Sequence, residues 1–498
     1  MAIEVLDATV KALASDVGLH PDLLKMAMTL LLSYPLCAIL KRFPDNAIRA
    51  KEIYILSCSV FYLFGIFTLY SGVTTLMIAG MGTYMISFCF PAVSYMPWIN
   101  FFFIMGHLFK NHISAQFGVA NYDTNAIDIT GAQMVLAMKL TAFAWNVQDG
   151  RLIKKYPNQP GIVTKFQRER AIVERPHILS FLAYVFFFPS LFTGPSYDYI
   201  EFKRWLSLEM FDHITKDTSK KHKFHGKRTI PRSGRVALKQ FLLGVFWLVL
   251  WIKLGKYVSL DYVLGDGSAF VSMPFINKCF YMWALGFTFR LKYYSAWCIA
   301  EGSCILCGLG FNGYDKRSGR YLWNRVKNID PWAFETGQNT HALLEAWNMN
   351  TNKWLKNYVY LRVTPKGKKP GFMSTMATFF TSAFWHGTRP GYYLTFITGA
   401  FFQAIGKVFR RQLRPIFLSN DGVTAGRFKL LYDIVCYFVV QLAFGYAVQP
   451  FVLLDFKPSL WIWKQVGYYV HIGIAIVLFI FYGPFKKKVI RFLKQYHP

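Results

Sequence analysis

Two short stretches of the chain carry residue types that could take a proton from a hydroxyl group. A histidine lies in Phe384-Trp385-His386-Gly387 at the end of an apolar run, and an asparagine-rich patch, Trp347-Asn348-Met349-Asn350-Thr351-Asn352, precedes it. Ionisable groups at membrane depth are costly, rare and usually functional. An imidazole can accept a proton from a hydroxyl without being charged at rest, and a nearby carboxamide can orient that hydroxyl or donate to a developing oxyanion. Acyl transfer inside a membrane is the chemistry that such a pair fits. The structural alternative for His386 is an interhelical hydrogen-bond donor. Gly387 beside it leaves room for close approach by a backbone or a ligand. Asn348, Asn350 and Asn352 alternate, so on one helix they cannot all share a face, and some of them serve structure.

The elements that must hold these residues are apolar from end to end. Of 498 residues, 54% are hydrophobic, 18% aromatic and 16% charged, against about a quarter charged in a soluble protein. Mean hydropathy is +0.27. Length alone suggests several soluble domains, but apolar runs recur near 24–41, 53–70, 74–92, 95–108, 131–147, 178–194, 237–264, 268–290, 293–311, 372–384, 390–409, 430–453 and 460–484. A spanning helix needs about 20 predominantly apolar residues, so a few of these are too short to cross upright. The expected fold is an all-α polytopic membrane protein with roughly ten to twelve transmembrane or re-entrant helices.

Net charge is +30, from 56 Lys and Arg against 26 Asp and Glu. The basic residues cluster between apolar runs, as cytoplasmic loops do, rather than forming one nucleic-acid-binding face. They favour anionic headgroups and polyanionic co-substrates, and nucleic acid is not an expected partner. Three polar stretches, Gln148 to Pro176, Lys203 to Arg235 and Tyr314 to Pro370, read first as solvated loops. The tail from Lys486 to Lys494 reads as a basic amphipathic end at the membrane surface. The eight cysteines lie in or beside apolar runs and read as small hydrophobes. Cys304-x-x-Cys307 has redox or zinc spacing, but no second pair completes a metal site. The segment Met1 to His20 is mixed polar and lacks a signal-peptide pattern.

Other motifs carry less. Gly308-Leu309-Gly310-Phe311-Asn312-Gly313 matches a dinucleotide fingerprint, but it follows an apolar run and leads into a charged loop, so a glycine-rich helix exit is expected. Glu301, inside an apolar run, is either a functional carboxylate or a structural acid paired with Arg290 or Lys292. His107 and His112 flank the end of the run 95–108 and read as an interfacial polar cap.

The ordered set of motifs resembles a known family. Trp347-Asn348-Met349-Asn350-Thr351-Asn352-x-Trp354, followed 38 positions after Asn348 (386 − 348) by Trp385-His386-Gly387, is similar to the paired signature of the membrane-bound O-acyltransferases. The lysophospholipid branch is resembled by Tyr293 to Trp297, Glu301-Gly302 to Gly313, Asn121-Tyr122-Asp123, Trp145-Asn146 to Asp149-Gly150, and Phe192 to Tyr197. The resemblance implies one domain over 1–498 enclosing a substrate tunnel, with a core at 105–410, N-terminal helices at 20–105, C-terminal helices at 430–484 and a basic tail at 485–498. It implies acyl transfer from acyl-CoA, as co-substrate and not a bound cofactor, to a lysophospholipid in the endoplasmic reticulum membrane; dimerisation is left open. The family's histidine maps to His386 and its asparagine to Asn348, with Asn350 the fallback. Trp347, Asn350, Asn352, Trp385 and Glu301 are candidate substrate-binding residues, and Lys353, Lys356 and Arg362 are candidate partners of CoA phosphates or members of a solvated loop. The alternatives are another hydroxyl acceptor (diacylglycerol, sterol or protein serine) or a non-catalytic transporter or scaffold. Transport predicts duplicated halves with interrupted helices, and no such symmetry is visible.

Overall fold

The computed structural model describes residues 2–17, 20–89, 94–117, 128–212, 229–265, 268–365 and 367–497. The chain divides into two compact units, Met1–Phe246 with Ser295–Asn328, and Trp247–Tyr294 with Ile329–Pro498. Both are helical, and the strands among the described residues form one short hairpin, Tyr314–Asp315 against Arg320–Tyr321. The all-α architecture expected from the apolar runs is therefore present. By length and hydropathy alone, four stretches among the described residues can cross a bilayer: Pro21–Leu40, Tyr70–Cys89, Gly234–Leu254 and Lys429–Leu453. Phe456–Gln465 and Tyr469–Tyr482 pass together but bend by 80°, as a broken span or a re-entrant loop does. Other long helices, Met96–Phe117, Ile129–Lys155, Phe275–Leu306 and Pro390–Gln412, mix apolar with ionisable residues.

Element boundaries differ from the apolar runs where helix-breaking residues act. The runs 268–290 and 293–311 are joined in the 32-residue helix Phe275–Leu306, because no proline interrupts it and Lys292 is a good helix former. The run 178–194 is α-helical only over Ile178–Val185 and continues as a 3-10 turn, Phe188–Ser190, that Pro189 helps open. The glycine-rich exit behaves as expected: Gly308 and Gly313 take φ of 101° and 99° and carry the chain from Phe275–Leu306 into the hairpin. There the Ser318 hydroxyl and the Arg317 amide hold the Asp315 carboxyl below the usual carboxylate range.

The first unit buries charge inside its apolar packing. Lys139, 2% exposed, donates to the Tyr184 carbonyl and lies 4.3 Å from the Tyr184 ring centroid and 4.8 Å from that of Tyr197. Arg170 reaches Asp198 at 2.8 Å and Glu201 at 3.4 Å, and Arg325 also meets Glu201 at 3.4 Å. Arg170 thus corrects the reading of 148–176 as a solvated loop: two carboxylates draw its guanidinium inward, and its side chain is 13% exposed. Gly150 explains the close approach, since a Cβ there would lie 2.1 Å from the Ile172 carbonyl oxygen. Residues 213–228 of the second charged stretch and the motif Asn121-Tyr122-Asp123 lie outside the described residues, as does Lys366.

The second unit is pinned by another buried pair. Arg290 donates to Glu335 through Nε at 2.9 Å and Nη2 at 2.8 Å, and the Tyr294 hydroxyl adds a bond to the same carboxylate at 2.5 Å. Removing one partner of such a pair leaves an uncompensated charge in a low-dielectric interior. We expect Glu335→Gln to destabilise the purified protein by about 3 kcal/mol, read as a lowered melting temperature. The triple variant Arg290→Met/Tyr294→Phe/Glu335→Leu should recover most of the loss, and a triple variant no better than Glu335→Gln would contradict this account.

Candidate active site

The asparagine patch begins at a backbone corner. The helix Thr340–Ala346 ends at Trp347, and Asn348 follows with φ 43° and ψ 54°, in the left-handed region that asparagine tolerates better than most residues. Met349–Trp354 then forms a short helix that continues into a π-helical turn, Leu355–Tyr360. Asn348 Oδ1 accepts from the Thr351 hydroxyl at 2.8 Å. Asn352 turns its amide back, donating to the Trp347 carbonyl at 2.9 Å and to the Leu344 carbonyl, so its side chain closes the corner. Asn350 is buried at 8% exposure. The three asparagines therefore do not share one face, and Asn352 is the structural one.

Trp347 anchors the patch. Its ring meets Tyr293 and Tyr294 at 5.8 Å each and Phe334 at 5.5 Å. At the other end, Trp354 packs against Trp385 with ring planes tilted by 45° and centroids 6.1 Å apart, which ties the asparagine helix to the histidine helix Phe372–His386. The Thr364 and Ser374 hydroxyls, 3.1 Å apart, make a second tie.

His386 is the last residue of its helix. Gly387 ends that helix with φ 137° and ψ −163°, a conformation that only glycine adopts without strain. The half-buried imidazole is ringed by aromatic groups from three segments. Trp385 lies at 4.6 Å, Phe396 is nearly parallel at 5.1 Å and 22°, Tyr392 is at 5.5 Å, and Phe451 presents an edge at 5.0 Å. Phe451 reaches the site because Gly391 lets two backbones touch. The Gly391 N–H donates to the Leu454 carbonyl at 2.6 Å, and a Cβ on Gly391 would lie 2.0 Å from the Pro450 carbonyl oxygen. Arg389 to Asp455 at 2.8 Å and the Thr395 hydroxyl to the Ala447 carbonyl at 2.9 Å lock the same junction.

The second unit thus holds His386, Trp385, Trp347, Asn348, Asn350, Asn352, Lys353, Lys356 and Arg362. Lys356 is exposed, while Lys353 and Arg362 are half-buried on the same short stretch. Glu301 belongs to the first unit, where it is 2% exposed. The pairing of Glu301 with Arg290 is corrected: the Arg290 guanidinium engages Glu335 bidentately, and Lys292 lies over Phe289 at 3.9 Å. Sequence reasoning missed Tyr392, Phe396 and Phe451. Two of these follow His386 closely, but nothing in a chain with 48 phenylalanines marks Phe451 as a neighbour of the histidine. The one signal was glycine, since Gly391 is the kind of residue that a close backbone approach demands.

Comparison with known proteins agrees with this architecture. Residues 114–449 match the membrane-bound O-acyltransferase family, and the chain belongs to that family. It is 50% identical over 494 residues to a lysophospholipid acyltransferase of Saccharomyces cerevisiae, covering 99% of this chain and 79% of that protein. A lysophospholipid acyltransferase of Schizosaccharomyces pombe is 43% identical over 485 residues, 97% of this chain and 91% of the other. The human membrane-bound glycerophospholipid O-acyltransferase 2 is 30% identical over 390 residues, covering 78% and 70%. The chain is an acyl-transferring enzyme of the membrane-bound class.

The left-handed backbone of Asn348 lets its structural role be tested apart from the catalytic role expected of it. A non-glycine residue without the asparagine amide is strained in the left-handed region by about 1 kcal/mol, whereas glycine is not. Asn348→Ala should lower both the melting temperature and acyl transfer, while Asn348→Gly should keep the melting temperature and still lose about 100-fold in turnover. Full turnover in Asn348→Gly would mean that the asparagine serves the corner alone.

Proposed function

We propose that this chain is a lysophospholipid acyltransferase that moves a fatty acyl group from acyl-CoA to the free glycerol hydroxyl of a lysophospholipid. The observation that carries the reading is the imidazole of His386, placed at a helix end inside aromatic walls and tied through Trp385 and Trp354 to the asparagine corner. The names of the Saccharomyces and Schizosaccharomyces relatives support the acceptor class.

His386 acts as general base. It takes the proton from the lysophospholipid hydroxyl as that oxygen attacks the thioester carbonyl carbon, and the carbonyl becomes an oxyanion. Asn348, or Asn350 in its place, donates to that oxyanion or orients the hydroxyl. Collapse breaks the carbon–sulfur bond, and the departing CoA thiolate recovers the proton from the imidazolium. No acyl-enzyme is needed. Aromatic walls shed water, which would otherwise compete with the lipid hydroxyl for the acyl group. Trp347 and Trp385 shape the pocket, and Lys353, Lys356 and Arg362 meet the CoA phosphates, for which guanidinium and ammonium groups are suited. The enzyme works as one multi-pass domain in the endoplasmic reticulum membrane, remodelling phospholipids.

His386→Ala in membranes should lose acyl transfer from labelled acyl-CoA to lysophospholipids by at least about 100-fold, the usual contribution of a positioned base. Diacylglycerol and sterol acceptors run beside them should give little product. Full activity in His386→Ala sinks the mechanism, and a preference for another acceptor sinks the substrate assignment.

A further inference from the structure

The first unit contains a cavity of about 590 Å³ that the proposed reaction does not use. Two membrane-spanning helices meet there: Pro21–Leu40 ends at the cavity and Gly234–Leu254 begins at it. They run antiparallel, since Lys41 donates to the Pro231 carbonyl at 2.9 Å and to the Ser233 hydroxyl at 2.8 Å, while Tyr34 meets Phe241 edge-to-face at 5.3 Å further along. The lining brings Lys41, Arg42, Arg232 and Arg235 together with Ser233, and includes no carboxylate among the described residues. Arg42 reaches the Ala38 carbonyl at 3.2 Å, and none of the three arginines makes an ion pair among the described residues. The three guanidinium groups around one cavity repel one another unless an anion joins them. The first turn of a 21-residue helix adds backbone N–H groups at the same place.

The surfaces below the cavity say what kind of anion. Leu31, Pro35, Ile39 and Arg42 recur at i, i+4, i+8 and i+11, so one exposed apolar stripe leads up to a guanidinium. Arg235, Leu238, Leu242 and Phe246 recur at i, i+3, i+7 and i+11, and the three apolar members are 55%, 56% and 54% exposed. Two lipid-facing apolar stripes, each headed by an arginine, match a molecule with a phosphate above two acyl chains. A zwitterionic headgroup brings no net charge to the three guanidinium groups, whereas a phosphomonoester carries about −1.5 to −2.

We propose that this cavity binds an anionic phospholipid through a phosphomonoester headgroup, with its acyl chains along the two stripes. The cavity is lined by first-unit residues alone, none of them among those assigned to the reaction, and it is read by binding, not by turnover, so its failure and that of the acyltransferase reading are distinguishable.

The test uses the full-length protein in nanodiscs of phosphatidylcholine, with phosphatidic acid titrated in and binding followed by native mass spectrometry. Wild type should bind phosphatidic acid at least about tenfold more tightly than added phosphatidylcholine, and Arg232→Gln/Arg235→Gln should lose about tenfold or more of that affinity. Arg42→Gln, from the other helix, should lose part of it. Lys487→Gln/Lys488→Gln removes the same charge from the tail and should bind as wild type does. An unaltered melting temperature without phosphatidic acid certifies the variants as folded, and Arg42→Gln alone carries the test if the double variant melts early. No preference for phosphatidic acid, undiminished binding in the arginine variants, or equal loss in the tail variant overturns the proposal. So does displacement of the lipid by free CoA or inorganic phosphate at matching concentration, which would mark a site for soluble phosphates.

Discussion

In hydrocarbon no water is available to satisfy a polar group, so every buried donor, acceptor and charge must find its partner within the protein. That constraint organises both units. Arg290, Glu335 and Tyr294 close on one another in the second unit, and Arg170, Arg325, Asp198 and Glu201 do so in the first. Lys139 is met by a carbonyl and two tyrosine faces. Such groups contribute little net stability compared with an apolar core, but breaking one member of a set is expensive, so they fix which helices can be neighbours within a unit.

The same rule shapes the site. His386 can remain at the end of an apolar helix because its surroundings are aromatic, because Gly387 takes the positive φ that ends the helix, and because Gly391 removes the side-chain bulk that would keep backbone segments apart. The asparagine corner uses its own amides to satisfy carbonyls exposed where one short helix stops and the next begins. The corner's work is thus divided between two asparagines: Asn352 ties its carbonyls, and Asn348 turns the chain.

Much of this was legible in the sequence. Apolar runs such as 24–41, 74–92 and 430–453 fall on helices long enough to cross a bilayer, because hydropathy integrated over about 20 residues reports directly on the solvent that a helix can enter. The histidine and asparagine motifs were visible through their composition and order, and the family match bears out the resemblance they carry. Long-range pairings were not visible. Nothing local distinguishes Arg170 in a basic stretch from its solvated neighbours, since its burial comes from carboxylates some 30 residues later, at Asp198 and Glu201 (198 − 170 = 28; 201 − 170 = 31). Likewise the Arg290 partner sits beyond the hairpin, at Glu335, not about three turns along its own helix at Glu301. Periodicity reads which side of a helix is buried, and is silent about what lies on the far side of the contact.

The ring of Trp385, Tyr392, Phe396 and Phe451 around His386 has an entropic meaning as well as a geometric one. A histidine on an exposed helix end samples several χ1 and χ2 arrangements, and a reaction would have to select one of them at each turnover. Planar neighbours on several sides leave the imidazole few orientations. In the proposed reaction, that freedom is lost once, when the chain folds, and need not be lost again at the barrier.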